Sequence, residues 1–251
     1  MLEVCVDDLG GFGEALAGGA DRIELCSALA LGGLTPSAAL VSTVVHAPIP
    51  VHVLIRPRAG DFSYDAGEEE VMAADLRAAV LAGAAGVVIG ANRPGAGLDS
   101  PLLERLIGVA REAGAHSVKP VALTLHRAFD LCADPLDALE AAITLGFDRV
   151  LTSGGAESAV AGKEVLAALV GRARGRIRIL AAGGIDPSNV AAILAAGVDE
   201  IHASCQRPLP EADRKVVELG FAQPRQGRAT ASSVQALALA IKHWRSRSHS
   251  A

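Results

Sequence analysis

Gly146-Phe-Asp-Arg-Val150 recurs with variations along the chain, as Gly19-Ala-Asp-Arg-Ile23, Gly83-Ala-Ala-Gly-Val87 and Gly197-Val-Asp-Glu-Ile201. Each copy follows an Ala/Leu-rich helical pattern and precedes a short aliphatic run. The glycine suits the left-handed C′ position that ends a helix. The next two residues turn the chain and a strand begins, so the phrase marks a repeated helix-to-strand junction. Outward from these junctions lie eight strand candidates, at about 2–7, 22–26, 50–56, 85–90, 120–126, 148–153, 177–182 and 199–204. Helical patterns fall between and after them, near 11–18, 35–46, 68–82, 99–113, 135–145, 157–173, 187–196 and 232–245. Thr35-Pro36, Asp99-Ser100-Pro101, Asp134-Pro135 and Asp186-Pro187 carry helix-start signals. Eight βα units in 251 residues predict a closed (β/α)8 TIM barrel, one domain over the whole chain, with an insert at about 206–231 between strand 8 and the last helix. An open doubly wound sheet is the alternative. Its dinucleotide loop is not matched by Gly10-Gly11-Phe12-Gly13, and no organic cofactor is expected.

Composition agrees with this frame. The chain is 51% hydrophobic and only 3% aromatic, the small aliphatic core of a parallel sheet buried on both faces. A net charge of −5 argues against a nucleic-acid surface. No apolar run reaches the ~18 residues of a membrane span, and Met1-Leu2-Glu3-Val4 lacks a basic leader. The expectation is a cytoplasmic protein whose cysteines, Cys5, Cys26, Cys132 and Cys205, are reduced thiols.

Aligning the junction glycines sets the inward register. Glu24, Val88, Leu151 and His202 fall at equivalent inward positions on strands 2, 4, 6 and 8, followed by Cys26, Gly90, Ser153 and Ser204 toward the carboxyl end. Parity on the odd strands gives Glu3-Cys5-Asp7, His52-Leu54-Arg56, Ala122-Thr124-His126 and Arg178-Leu180-Ala182. Buried charges must be paired or solvated, so this interior predicts either a polar ligand pocket or an ion-paired plug, the plug best suiting Glu3 and Arg178. Val121-Ala-Leu-Thr-Leu125 runs straight into His126, Arg127 and Asp130, at the strand end where α/β proteins bind ligands.

Other loops add candidates. Arg56, Arg58 and Asp61 follow strand 3, and arginine forks suit carboxylates or phosphates. Ala182-Gly183-Gly184-Ile185-Asp186 is similar to the glycine turn that cradles phosphate in barrel enzymes. The insert, with Arg207, Arg214, Lys215, Arg225 and Arg228, reads as a lid, an oligomer contact or a disordered loop. The tail from Arg245 to Ala251 reads as frayed.

Several stretches carry a family resemblance: Leu2-Glu-Val-Cys-Val-Asp7, Gly18-Gly-Ala-Asp-Arg-Ile-Glu-Leu-Cys-Ser27, Gly32-Gly-Leu-Thr-Pro-Ser37, Val53-Leu-Ile-Arg-Pro-Arg58, Gly60-Asp-Phe62, His126-Arg-Ala-Phe-Asp130, Leu151-Thr-Ser-Gly154, Gly183-Gly-Ile185 and Glu200-Ile-His202. Together, and in this order, they resemble the CutC copper-homeostasis family over about residues 2–204. The chain departs from the family pattern at Leu125, where an aromatic is usual, and at Ala181-Ala-Gly-Gly184, where Pro-Gly-Gly-Gly is usual. The resemblance implies a TIM barrel, a cytoplasmic location, a homodimer or larger homo-oligomer, and Cu(I) binding through cysteines.

Two function classes follow. The first is copper homeostasis. Cu(I) prefers soft thiolates, and Cys5 and Cys26 lie inward on neighbouring strands, as ligands or as small core residues. The second is an enzyme acting on a small anionic (phosphorylated or carboxylated) metabolite. Glu24, His126 and His202 would be its acid/base groups, and Arg56, Arg58, Asp61, Arg127, Asp130, Ser153, Gly183 and Gly184 its ligand contacts. A structural hydrogen bond between Glu24 and His202 is the plainer expectation for that pair. Neither class calls for a nucleic-acid or membrane partner.

Overall fold

The structure, a computed structural model, describes residues 1–93, 95, 97–223 and 226–248. Eight parallel strands close into a single-domain (β/α)8 barrel: β1 (Leu2–Val6), β2 (Arg22–Leu25), β3 (Val51–Leu54), β4 (Gly86–Ile89), β5 (Ala122–Leu125), β6 (Arg149–Thr152), β7 (Arg178–Ala181) and β8 (Glu200–Ala203). They follow one another round the ring, and β8 pairs with β1 to close it. Helices α1 (Leu9–Ala17), α2 (Ala38–Val44), α3 (Ala66–Leu81), α4 (Ser100–Ala113), α5 (Pro135–Leu145), α6 (Lys163–Ala173) and α7 (Val190–Leu194) lie between successive strands. The insert holds α8 (Arg214–Glu218), and α9 (Ala231–Ser248) ends the described chain. No described helix is long and apolar enough to cross a membrane.

The repeated phrase does what its glycine implied. Gly19, Gly83, Gly146 and Gly197 have φ of 84°, 107°, 86° and 86°, the left-handed region that disfavours side chains. Its aspartate has a separate role. Asp21, Asp148 and Asp199 accept from the backbone N–H groups of Leu2, Leu123 and Ile179 at 2.6–2.7 Å, tying each junction to the start of a neighbouring strand. Where the phrase has Ala85, that tie is missing from the sequence.

Strand parity sorts the core as expected. Ile23, Leu25, Val87, Ile89, Leu125, Val150 and Ile201 join the large apolar layer between strands and helices. Leu125 thus faces away from the barrel interior, and the departure from the family pattern there leaves the mouth untouched. Two small apolar groups form separately inside the barrel: Cys5, Cys26, Leu54 and Val88, and Leu151, Leu180 and Ala182.

Several expected boundaries move for local reasons. α2 starts after Ser37, which caps Leu40 N–H, rather than at Thr35-Pro36. α6 starts at Lys163 because Gly162 presses against the Ser153 carbonyl, where a Cβ would lie 1.9 Å from the oxygen. α7 starts at Val190 because Asp186 takes the Ser188 N–H and hydroxyl into a turn of its own. In the insert, Gln206–Pro208 pairs antiparallel with Gly227–Ala229; Arg225 lies outside the described residues. The tail was expected to fray from Arg245, yet Arg245–Ser248 continue α9, where Arg245 donates to the Asp199 carbonyl at 3.0 Å. Residues 249–251 lie outside the described residues.

Candidate functional site

The barrel interior is electrostatically divided. At the amino end of the strands, Arg22 donates to Glu3 and to Glu200, both at 2.5 Å. Arg178 and Arg149 also approach Glu200, at 2.9 and 3.4 Å. Glu3, Arg22 and Glu200 are each at most 2% exposed, so this is a buried, mutually neutralising network. Burial alone would raise the Glu3 carboxyl, but Arg22 and His202 outweigh it and hold it well below the usual range. His52 sits nearby and burial pushes its imidazole down to about 3, so it is neutral.

Toward the carboxyl end the interior opens into a cavity of about 320 Å³, lined among others by Cys5, Glu24, Cys26, Arg56, Phe62, His126, Arg127 and His202. One ligating atom from each of Cys5, Glu24 and His202 lies within 4.8 Å of the others. Register explains the meeting. Glu3 lies level with His202 and Cys5 with Glu24, so β1 brings β8 and β2 together. His202 Nδ1 is 2.7 Å from Glu3 Oε1, and its Nε2 is 3.7 Å from Glu24 Oε2. A carboxylate on one ring nitrogen orients the imidazole and presents the other nitrogen to the cavity, the second-sphere arrangement common behind metal-ligating histidines.

Burial opposes charge on His202, but Cys5, the hydrogen bond to Glu3 and the Glu24 carboxylate outweigh it and raise its pKa well above the usual value. Burial pushes Glu24 up to about 7, with His202 pulling the other way. Glu24 thus holds an exchangeable proton near neutrality beside a His202 that favours its charged form, and a cation could replace these protons.

Cys26 borders this cluster: it packs with Cys5 in one inward group, and its thiol lies beside the Glu24 carboxyl. Its Sγ lies 4.0 Å from its neighbour Glu24's carbonyl oxygen and 3.5 Å from where a Gly33 Cβ would fall. Burial, then the nearby Glu24 charge, raises its thiol well above the usual value. The two cysteines expected to face one ion both turn inward and pack in one group, and Cys5 also meets His202 and Glu24. Cys132 and Cys205 are half-buried.

The outer wall is built from loops. Arg56 is 6% exposed and donates to the carbonyls of Leu31, Gly33 and Gly60 at 2.8–3.0 Å, which stitches the β2 and β3 loops together. Among the described residues it makes no ion pair, and its Nε has no partner. His126, 4% exposed, accepts from Ala128 N–H at Nδ1 (3.0 Å), and its Nε2 has no partner. Burial, then the Arg56 charge, lowers His126 to about 3, so the ring is neutral. Gly90 makes room for it, since a Cβ there would lie 2.4 Å from the ring. Phe62 packs on both, 4.7 Å from the His126 ring centroid and 5.1 Å from the Arg56 guanidinium.

The remaining sequence candidates stand outside the cavity or are already engaged. Arg58 is bound by Glu68, Asp61 and the Ser63 carbonyl; neither it nor Asp61 lines the cavity. Asp130 accepts from Thr152, Ser153 and Gly155, and pairs with Arg127 at 2.7 Å. The Ser153 hydroxyl is held between Asp130, Arg127 and the Ala156 carbonyl. Asp130 and Ser153 therefore clamp the end of β6, and of this group Arg127 alone reaches the cavity. Gly183 and Gly184 form the expected turn, with φ of 104° and 65°. Gly184 faces a different depression that it shares with Asp186, an ill-suited neighbour for phosphate. Sequence reading gave Glu3 only a plugging role and overlooked Phe62 as the common platform.

Fold and site together define a (β/α)8 barrel whose mouth joins a thiol–imidazole–carboxylate cluster to a buried arginine and a neutral histidine. The sequence profile of the CutC family matches residues 1–207, ending where the insert begins. A CutC family protein of Sinorhizobium medicae is 49% identical over 238 residues, 94% of each chain. One from Caulobacter vibrioides is 46% identical over 244 residues, covering 94% of this chain and 96% of its own. The solved CutC of Streptococcus agalactiae, described as a candidate copper homeostasis protein, superposes with a TM-score of 0.74 at 29% identity, covering 81% of this chain and 98% of its own. This chain belongs to the CutC family.

Proposed function

We propose that this protein serves copper homeostasis by holding Cu(I) at the inner end of the barrel mouth. The observation that carries this is the convergence of Cys5, His202 and Glu24 within 4.8 Å, with His202 braced by Glu3. Thiolate and imidazole are the donors that Cu(I) favours, and two suffice. Ligating atoms within 4.8 Å of one another are close to the span that one ion bridges with bonds like the roughly 2.0–2.3 Å of zinc–imidazole and zinc–thiolate. Glu24 then serves as a third, weaker donor or as a counter-charge. Cys26 joins only if its thiol turns from Gly33 and loses its proton. The copper role stated for the Streptococcus agalactiae relative supports the choice of ion.

The same reading sets the protein in the cytoplasm, where free thiols stay reduced, as a homodimer or larger homo-oligomer. The test is competition for Cu(I) against a chromophoric chelator under reducing conditions. Cys5→Ser and His202→Gln should each weaken binding at least tenfold, and Cys26→Ser should change it less. Equal affinity of Cys5→Ser and wild type would overturn the assignment.

A further inference from the structure

We infer that His126 and Arg56 form an oxoanion-binding subsite in the outer wall of the mouth, taking the carboxylate or phosphate of a small metabolite. This does not rest on the copper reading, because neither side chain belongs to the Cys5–Glu24–His202 cluster.

Tautomer chemistry fixes one donor. His126 Nδ1 accepts from Ala128 N–H, so the single proton of a neutral imidazole resides on Nε2. That N–H is buried in a residue lining the cavity and has no partner among the described residues. The second donor is Arg56 Nε–H, also buried and unpartnered. A buried donor left unsatisfied is costly, and these two belong to neighbouring residues that line one cavity. Arg56's three described side-chain hydrogen bonds go to neutral carbonyls, so its positive charge stays uncompensated by any described carboxylate pair. A ligand oxygen bearing negative charge, admitted past the side chains that cover both donors, would satisfy them and the Arg56 charge.

The two side chains are held together by Phe62, which contacts both. Leu29, Leu54 and Leu151 give the cavity apolar walls, which suits an anion with a short hydrocarbon body. A volume of about 320 Å³ is at the small end for ligand pockets, which suits a small metabolite. One guanidinium charge and one neutral N–H match a singly charged group, so a carboxylate should bind ahead of phosphate.

The experiment is calorimetric titration of chelator-treated, metal-free protein with butyrate, acetate and inorganic phosphate, in wild type, His126→Phe and Cys5→Ser. His126→Phe keeps an aromatic ring against Phe62 and removes both nitrogens. Butyrate should bind wild type more tightly than acetate, lose at least tenfold in affinity in His126→Phe, and be unchanged in Cys5→Ser. Phosphate binding ahead of butyrate, with the same loss in His126→Phe, would retain the subsite and assign it to phosphorylated ligands. If His126→Phe does not fold, the 15N resonance of the His126 Nε2–H in wild type decides, and it must move on titration. Absence of binding by all three probes would overturn the inference. So would an anion whose binding survives His126→Phe and disappears in Cys5→Ser, or an unmoved Nε2–H signal.

Discussion

Arg22→Met isolates the energetics of the buried network behind the site. The methionine keeps much of the length and volume and removes the charge shared by Glu3 and Glu200. The two carboxylates are affected unequally. Glu200 retains Arg178 at 2.9 Å and Arg149 at 3.4 Å, whereas among the described residues Glu3 retains only His202. Removing one partner of a buried pair costs about 3–5 kcal/mol. With Glu200 still compensated, the lower figure applies, about 3 kcal/mol. For a chain of this size, 1 kcal/mol shifts Tm by about 2–4 °C, so the variant should melt about 6–12 °C lower at pH 7. Because Arg22 helps keep Glu3 ionised in the wild type, Glu3 should take up a proton more easily in the variant. The gap between the two proteins should therefore narrow at pH 5. Urea denaturation and calorimetry at both pH values measure it, with Arg22→Met/Glu3→Gln closing the cycle. A loss below 1 kcal/mol at pH 7, or one that Glu3→Gln does not reduce, would refute the assignment of the cost to an orphaned Glu3.

Two further outcomes follow from the mouth. Glu24, raised to about 7 chiefly by burial, binds its proton more tightly folded than unfolded. Its contribution is therefore greatest below the unfolded value and is lost as pH rises through about 7. Between pH 5 and pH 8, metal-free wild type should lose about 2–3 kcal/mol relative to Glu24→Gln by urea denaturation, and parallel stability profiles would contradict the shift. Gly90→Ala would place a Cβ 2.4 Å from the His126 ring, which is also held by Ala128 N–H and Phe62. Overpacking of this kind costs about 1–3 kcal/mol, and an unchanged melting temperature would mean that the ring moves freely.

What the sequence disclosed were features set by local rules. Left-handed glycines end helices whatever surrounds them, and alternation fixes which side of a strand faces inward. Those two rules sufficed for the barrel, its register and the approach of Glu24 to His202, which are far apart in sequence. The same arithmetic carried one step back would have found Arg22, Arg149 and Glu200 inside. Loop residues were not legible in this way. Arg58 and Asp61 looked like Arg56 in the sequence, but Glu68 draws Arg58 away from the mouth while three carbonyls draw Arg56 into the wall. Parity turned both Cys5 and Cys26 inward. It did not disclose that Cys5 would also meet His202 while Cys26 lay beside Glu24, because side-chain rotation and loop packing decide that.

Glu3 links the two ends of the interior and explains how they work together. One carboxylate oxygen takes Arg22 and the other takes His202. The closed network therefore acts as the support that orients the His202 ring, and its ion pairs fix the direction of Nε2. A barrel plugged only for stability would pair its charges throughout. Here Glu3 and Glu200 are both ion-paired toward the amino end, and compensation is weaker at the mouth. There Glu24 titrates near neutrality, and Arg56 is held in place by neutral carbonyls. Groups of that kind gain most from a ligand bearing charge, because protein partners have not already compensated them.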